Sequence, residues 1–147
     1  MLLPWCPQYA RTGGRRGSSA TRRQASGRRC WNCSVAESCL FCRIVGGEIP
    51  AEEVFRTEDV LAFRDISPVA PVHVLVVPLV HHDSLSQLED AELAGKLLLA
   101  AVEAARCENL LETGYRVVLN TGRDAGQSVG HIHAHVLGGR ALEWPPG

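Results

Sequence analysis

The segment 131–137, HIHAHVL, alternates without a break: His131, His133 and His135 fall on one side of an extended chain, and Ile132, Ala134 and Val136 on the other. An extended chain repeats every two residues, so each trio shares a face with its members about 6.6 Å apart. The alternation predicts a strand whose apolar side meets a core while three imidazoles line the opposite side. A sheet with two chemically different faces therefore stands at the centre of the fold. The chain has six histidines and this segment takes three of them, so chance clustering is a poor explanation.

The remaining elements arrange themselves around that strand. ESCLFCRIVGGEIP reads as a short helix stopped by Gly46, Gly47 and Pro50. EEVFRTED (52–59) and VLAFRD (60–65) read as two strands joined near Glu58–Asp59 as a hairpin. PVHVLVVPLV (71–80) is β-branched and flanked by prolines, which predicts a buried strand. The clearest helix is 88–110, with acidic residues in its first turn and an apolar stripe through Leu93, Leu97, Ala101 and Ala104. GYRVVLNTG (114–122) predicts a further strand, followed by a polar glycine-rich loop and the histidine strand. The order β-β-β-α-β-β fits an α+β domain, an antiparallel five-stranded sheet covered on one face by the long helix.

Length and charge narrow the function. A chain of 147 residues supports one domain with a proper core. Of its 15 basic residues, seven are arginines within 1–36, where no acidic residue occurs; the other eight face all 16 acidic residues, a net of −8. A body that acidic is a poor general nucleic-acid binder. The leader 1–36, rich in Arg, Ser and Gly without an apolar run, has transit-peptide composition, which implies an organelle (mitochondrion or plastid). The same composition fits a disordered tail or an extension foreign to the natural protein, in which case a cytoplasmic location is expected. The domain itself is read as 37–147. No stretch is long and apolar enough to span a membrane. Cys6, Cys30 and Cys33 fall in the leader, Cys39 and Cys42 form a C-x-x-C, and Cys107 sits alone in the helix. Without a secretory signal, reduced thiols are expected, and the question becomes metal or no metal.

Three readings compete for the histidines: hydrogen-bonded polar packing, a catalytic metal held by all three, or phosphate handling with one neutral imidazole as nucleophile. A free imidazole, with its pKa of about 6.5, keeps an unprotonated ring nitrogen at neutral pH. The neighbourhood favours phosphate. Asn120, Gly122, Gly126, Gln127 and Ser128 supply amide and hydroxyl donors around a turn, and successive N–H groups there can converge on phosphate oxygens. The carboxylates that a three-histidine metal would call for are missing from the segment, apart from Asp124 in the loop.

The motif His131-Ile132-His133-Ala134-His135-Val136-Leu137, with AGQSV, LAFRDISPVAPVH and the terminal WPPG, resembles the histidine triad (HIT) family, and within it the Hint branch of purine nucleoside phosphoramidases. The resemblance covers about residues 39–147. It implies that His133 is the nucleophile, transiently nucleotidylated at the α-phosphorus, and that water then releases the nucleoside monophosphate. It implies that His135, Asn120, Gly126 and Ser128 contact phosphate oxygens, that the Ser128 hydroxyl meets the leaving amine, and that His131 orients His133. Asp65 would accept from both ribose hydroxyls, although as an isolated residue it reads as a strand-end cap. Phe41, Phe63, Ile66 and Leu75 would form the slot for a purine base, although singly they read as core. His73 matches a family position near the site but reads first as a polar core residue. Trp144 corresponds to a residue that approaches the partner's site in family dimers, and the resemblance implies a homodimer with a continuous sheet.

Some relatives carry C-x-x-C at this place and bind a structural zinc. The matching set here is Cys39, Cys42, His81 and His131, a complete Cys₂His₂ shell; the alternative is two half-buried thiols, and His82 competes with His81 for the ligand role. No cofactor is expected to be required for catalysis. The chain departs from the branch at Gly130, where an aromatic is usual, and in PLVHHDS, which lacks a lysine. Two other functions stand beside phosphoramidate hydrolysis. One is dinucleoside polyphosphate hydrolysis, against which the serine of GQSV argues; the other is nucleotide binding without physiological catalysis.

Overall fold

In the computed structural model, which describes residues 38–146, the chain forms a five-stranded antiparallel sheet with one long and one short helix. The expected leader lies outside the described residues. Helix α1 (Leu40–Val45) ends at Gly46, and Gly47 follows with φ 78°. Strands β1 (Glu53–Arg56) and β2 (Val60–Arg64) form the expected hairpin, with the Thr57 hydroxyl accepting from the N–H groups of Asp59 and Val60. Strand β3 (Val72–Pro78) leads to helix α2 (Ala91–Cys107), then β4 (Tyr115–Val118) and β5 (Ala134–Gly138), giving the spatial order β1-β2-β3-β5-β4. Asp90 caps α2, its carboxylate accepting from the N–H groups of Glu92 and Leu93 at 2.9 and 3.0 Å.

Register sorts the residues onto two faces. Ala62, Val74, Val76, Ala134 and Val136 meet Leu97, Ala100, Ala101, Ala104 and Ala105 of α2. Four alanines in that stripe let the helix lie close on the sheet. Leu93 is only partly buried, and Ala100 and Ala105 take its place in the stripe. The opposite face is not bare: Leu61, Phe63, Leu75 and Val77 pack on Cys39, Phe41 and Ile44, so α1 covers part of it.

Two strands are shorter than their sequence patterns. The expected strand 114–122 ends at Val118, and the histidine strand enters the ladder only at Ala134, opposite Val76. Pro78 has no N–H with which to extend β3, and the Ile132 N–H donates instead to His82 O at 2.8 Å. His131 and His133 therefore lie just before the ladder. The alternation of faces survives there, since Ile132 joins the α2 core while both histidines are buried on the other side. Cys39 and Cys42 are free thiols as expected, whereas Cys107 is disulfide-bonded. No helix among the described residues is long and apolar enough to cross a membrane.

Candidate active site

The face opposite α2 brings together five of the six histidines in two groups. Pairing sets the first: Leu75 of β3 lies opposite His135 of β5, and His73 stands two residues further on, on the same face. The Val69 N–H donates to His73 Nδ1 at 3.3 Å. That nitrogen therefore carries no proton, and the His73 proton sits on Nε2, 2.8 Å from His135 Nδ1. His135 in turn accepts at Nδ1 and must carry its own proton on Nε2. Nε2 of His135 is buried and has no partner among the described residues. Burial first, then the neighbouring His133 and His73, lower the His135 pKa to about 4, with Asp65 opposing; burial also lowers that of His73. The ring is a neutral hydrogen-bond donor aimed at something the described residues do not supply.

His133 is fixed by a simpler rule. Its Nδ1 lies 2.7 Å from the main-chain carbonyl of His131. A carbonyl only accepts, so the proton is on Nδ1 and the Nε2 lone pair is left for chemistry. Its ring packs edge-on against Phe41 and beside His135, with centroids 5.1 and 4.9 Å apart. Phe41 also floors a cavity of about 430 Å³ lined by Ile44, Phe63, Asp65, Ile66, Leu75 and Ser128 among others, a size suited to a small-molecule ligand.

The second group is built on His131. Its Nε2 donates to Pro78 O at 3.0 Å, leaving the Nδ1 lone pair 3.5 Å from the Sγ atoms of both Cys39 and Cys42. His81 Nδ1 lies 3.2 Å from Cys42 Sγ and 3.2 Å from His131 Nδ1, while His81 Nε2 donates to Asp83 Oδ1 at 2.9 Å. Two lone-pair nitrogens thus face each other with no ring proton to share, an arrangement that repels unless a cation stands between them. A tetrahedral ion with bonds of about 2.3 Å to sulfur and 2.0–2.1 Å to nitrogen would have edges of roughly 3.3 Å between the nitrogens, 3.6 Å between nitrogen and sulfur and 3.8 Å between the sulfurs. The observed distances match, and the four side chains form one metal-competent set. Burial pushes the Cys42 thiol up to about 12 and His131 down to about 4. The free thiol therefore resists ionisation until a cation supplies the charge.

The structure brings most of the expected site residues together. Asp65 combines both readings: Oδ1 accepts the Ser67 N–H at 2.7 Å as a turn cap, while Oδ2 lies 3.5 Å from His73 Nε2 beside the cavity. Ile66 lines the cavity but is 99% exposed, so it forms a lip and not a buried wall. The Gln127 side chain turns inward on its own loop. Its Nε2 donates to Asp83 O and Val129 O and its Oε1 accepts the Gly122 N–H, so it holds the loop's shape. Gly126 has φ 76°, and Asn120 is half-buried just before the same loop. His82 stands outside the metal-competent set, its main-chain carbonyl accepting the Ile132 N–H, and the histidine that joins the set from this stretch is His81. Trp144 is 83% exposed. Sequence reasoning missed the Val69–His73–His135 relay and Asp83; His73 carried a signal, being a histidine on the site face of a buried strand, whereas Asp83 had only its place two residues after His81.

The model of the HIT domain matches residues 46–142. The chain belongs to the HIT family. Among curated relatives of this HIT protein, a 14 kDa zinc-binding protein of Zea mays is 50% identical over 113 residues, covering 74% of this chain and 87% of the relative. A HIT family hydrolase of Legionella pneumophila is similar in structure, with TM-score 0.72 and 49% identity over 74% of this chain and 99% of that one. A histidine triad nucleotide-binding protein of Candida albicans has TM-score 0.65 and 32% identity, covering 73% of this chain and 82% of that one.

Proposed function

We propose that this HIT protein hydrolyses purine nucleoside phosphoramidates through a covalent nucleotidyl–His133 intermediate. The observation that carries the reading is the His133 tautomer: the His131 carbonyl holds the proton on Nδ1 and leaves the Nε2 lone pair free, on a ring packed edge-on against Phe41, which lines the cavity. In this reading the base lies among Phe41, Phe63 and Leu75, and Asp65 receives the ribose hydroxyls. The Nε2 lone pair of His133 attacks the α-phosphorus, a P–N bond to the ring forms, and the P–N bond to the amine breaks. The ring's new positive charge lies against the His131 carbonyl, while the departing amine takes a proton from solvent by way of the Ser128 hydroxyl. His135 Nε2–H and the loop amides near Gly126 and Ser128 stabilise the charge gathering on the phosphoryl oxygens. Water then attacks the same phosphorus, the P–N bond to the ring breaks, and the proton that water gives up passes to solvent, so the nucleoside monophosphate leaves and the ring returns neutral. The names of the Legionella hydrolase and the Candida nucleotide-binding protein support the reaction class.

An adenosine phosphoramidate and diadenosine triphosphate, offered separately, test the assignment. We expect k_cat/K_M for the phosphoramidate to exceed that for the dinucleotide at least about tenfold, a difference of about 1.4 kcal/mol at the transition state. The reverse order favours the dinucleoside polyphosphate reading. AMP binding with neither substrate cleaved favours the binding protein.

Two structural features belong to the same proposal. The Cys39–Cys42–His81–His131 set holds a structural zinc, as its geometry and the zinc-binding relative from maize support. The protein also works as a homodimer with a continuous sheet. Among the described residues strand β4 is an edge of the sheet with no further strand beside it, and Leu98 and Leu99 of α2 stand 52% and 71% exposed, an apolar patch suited to a second copy. Sedimentation equilibrium at micromolar concentration is expected to return twice the chain mass of 15.9 kDa; the mass of a single chain would remove the dimer.

A further inference from the structure

We propose that Asp83 is a positioning residue for the metal centre, acting through His81 and setting how tightly the ion is held; this rests on the zinc reading above. His81 follows β3 on a stretch outside the regular elements, where neither sheet pairing nor helical packing fixes its ring. A neutral imidazole in that setting can place its proton on either nitrogen, and only one choice leaves Nδ1 free toward Cys42 and His131. Asp83 Oδ1, 2.9 Å from His81 Nε2, makes the choice. It anchors the proton on Nε2 and sets the ring plane, so that Nδ1 keeps its lone pair toward the metal position. Outer carboxylates act on metal-bound histidines in this way.

The two imidazoles of the set are thus held by different means. His131 is fully buried and its Nε2 donates to a neutral carbonyl, that of Pro78. His81 donates to a carboxylate that is 45% exposed. A hydrogen bond to a carboxylate that open to water contributes little to folding, so stability alone gives this contact small weight. Its effect falls on the ligand, because the anionic acceptor strengthens electron donation from the ring to a bound cation.

Asp83 is itself held in register. Its main-chain carbonyl accepts from Gln127 Nε2 at 2.6 Å, and the Gln127 side chain also bonds Val129 O and the Gly122 N–H. The next residue back, His82, accepts the Ile132 N–H through its carbonyl. These bonds tie the turn that presents the carboxylate to the loop before the triad. A Cβ built on Gly130 would stand 4.0 Å from Asp83 Oδ1, so the residue immediately before the triad borders the carboxylate.

The test is zinc competition against a chromophoric chelator, using the full chain and comparing wild type with Asp83→Asn, Asp83→Glu and Cys42→Ser. Asp83→Asn keeps the shape and loses the charge. We expect it to weaken zinc about 10- to 100-fold, with Asp83→Glu recovering part of the loss. In the cobalt-loaded proteins the visible absorption band of Asp83→Asn should shift from that of wild type, while the metal-free proteins melt together. Zinc affinity in Asp83→Asn within about twofold of wild type, with Cys42→Ser still abolishing binding, overturns the role of Asp83 and leaves the zinc reading standing. Equal loss of metal-free stability and zinc affinity would make Asp83 merely structural and also overturns it. If wild type takes up no more zinc than Cys42→Ser, the zinc reading falls and this inference falls with it.

Discussion

Replacing His133 by alanine is expected to lower k_cat for an adenosine phosphoramidate at least about a thousandfold, equivalent to about 4 kcal/mol, while the dissociation constant for AMP stays within a few-fold of wild type. The two readouts separate because the ring's tasks are separate. In the proposed pose the base lies among Phe41, Phe63 and Leu75 and the ribose at Asp65, all of which line the cavity, and none of these contacts depends on the His133 lone pair. The ring does pack on Phe41, so a small loss of affinity through that contact is consistent with the account. Bond-making has no substitute: His131 directs its lone pair to the sulfur cluster, and the unpartnered nitrogen of His135 carries a proton and not a lone pair. Steady-state kinetics and calorimetric titration with AMP check both halves. Turnover within tenfold of wild type would remove the nucleophile assignment, and equal loss of binding and turnover would recast His133 as a docking residue.

Stripping the metal is expected to have the second largest effect. An ion present at a thousandfold excess over its dissociation constant stabilises the folded chain by about 4 kcal/mol, which for a domain of this size corresponds to a fall in the melting midpoint on the order of 10 °C. The set also has a direct line to His133, the proposed nucleophile. His131 turns its imidazole to the cysteines and its main-chain carbonyl to His133 Nδ1, so a shift of that one residue disturbs the tautomer on which attack depends. We therefore expect the chelated protein to lose k_cat more than AMP affinity, and Cys39→Ser with Cys42→Ser to reproduce both effects. Superimposable melting curves with and without chelator would contradict a structural role for zinc here.

The alternation in HIHAHVL made the sheet and its chemical face readable from sequence, because side-chain period is local and the apolar trio had to find a core. The helix over 88–110 was readable for the same reason. Strand ends were less so. Whether 131–133 joins the ladder depends on Pro78 in another strand and on the His82 carbonyl, which is tertiary information. The metal quartet was legible only through family resemblance, since Cys39 and Cys42 lie 92 and 89 residues from His131 in the chain. For His73 and Gln127 the structure adds contacts that the sequence does not show. His73 reads first as a polar core residue near the site, and its Nε2 meets His135 Nδ1; Gln127 reads as a donor in a phosphate loop, and its side-chain amide bonds Asp83 O, Val129 O and the Gly122 N–H. Both outcomes turn on which nitrogen or oxygen meets which partner, and a one-letter string does not encode it.

The covalent step can be met head-on. The protein is mixed with a slowly hydrolysed adenylyl phosphoramidate, quenched within milliseconds under conditions that preserve phosphorus–nitrogen bonds, digested, and its peptides weighed. The account predicts an adenylyl group on the peptide containing residues 131–135, fragmenting to His133, and decaying at the rate at which AMP appears. An adenylyl group on another residue, or full turnover with unmodified peptide at every quench time, would contradict it.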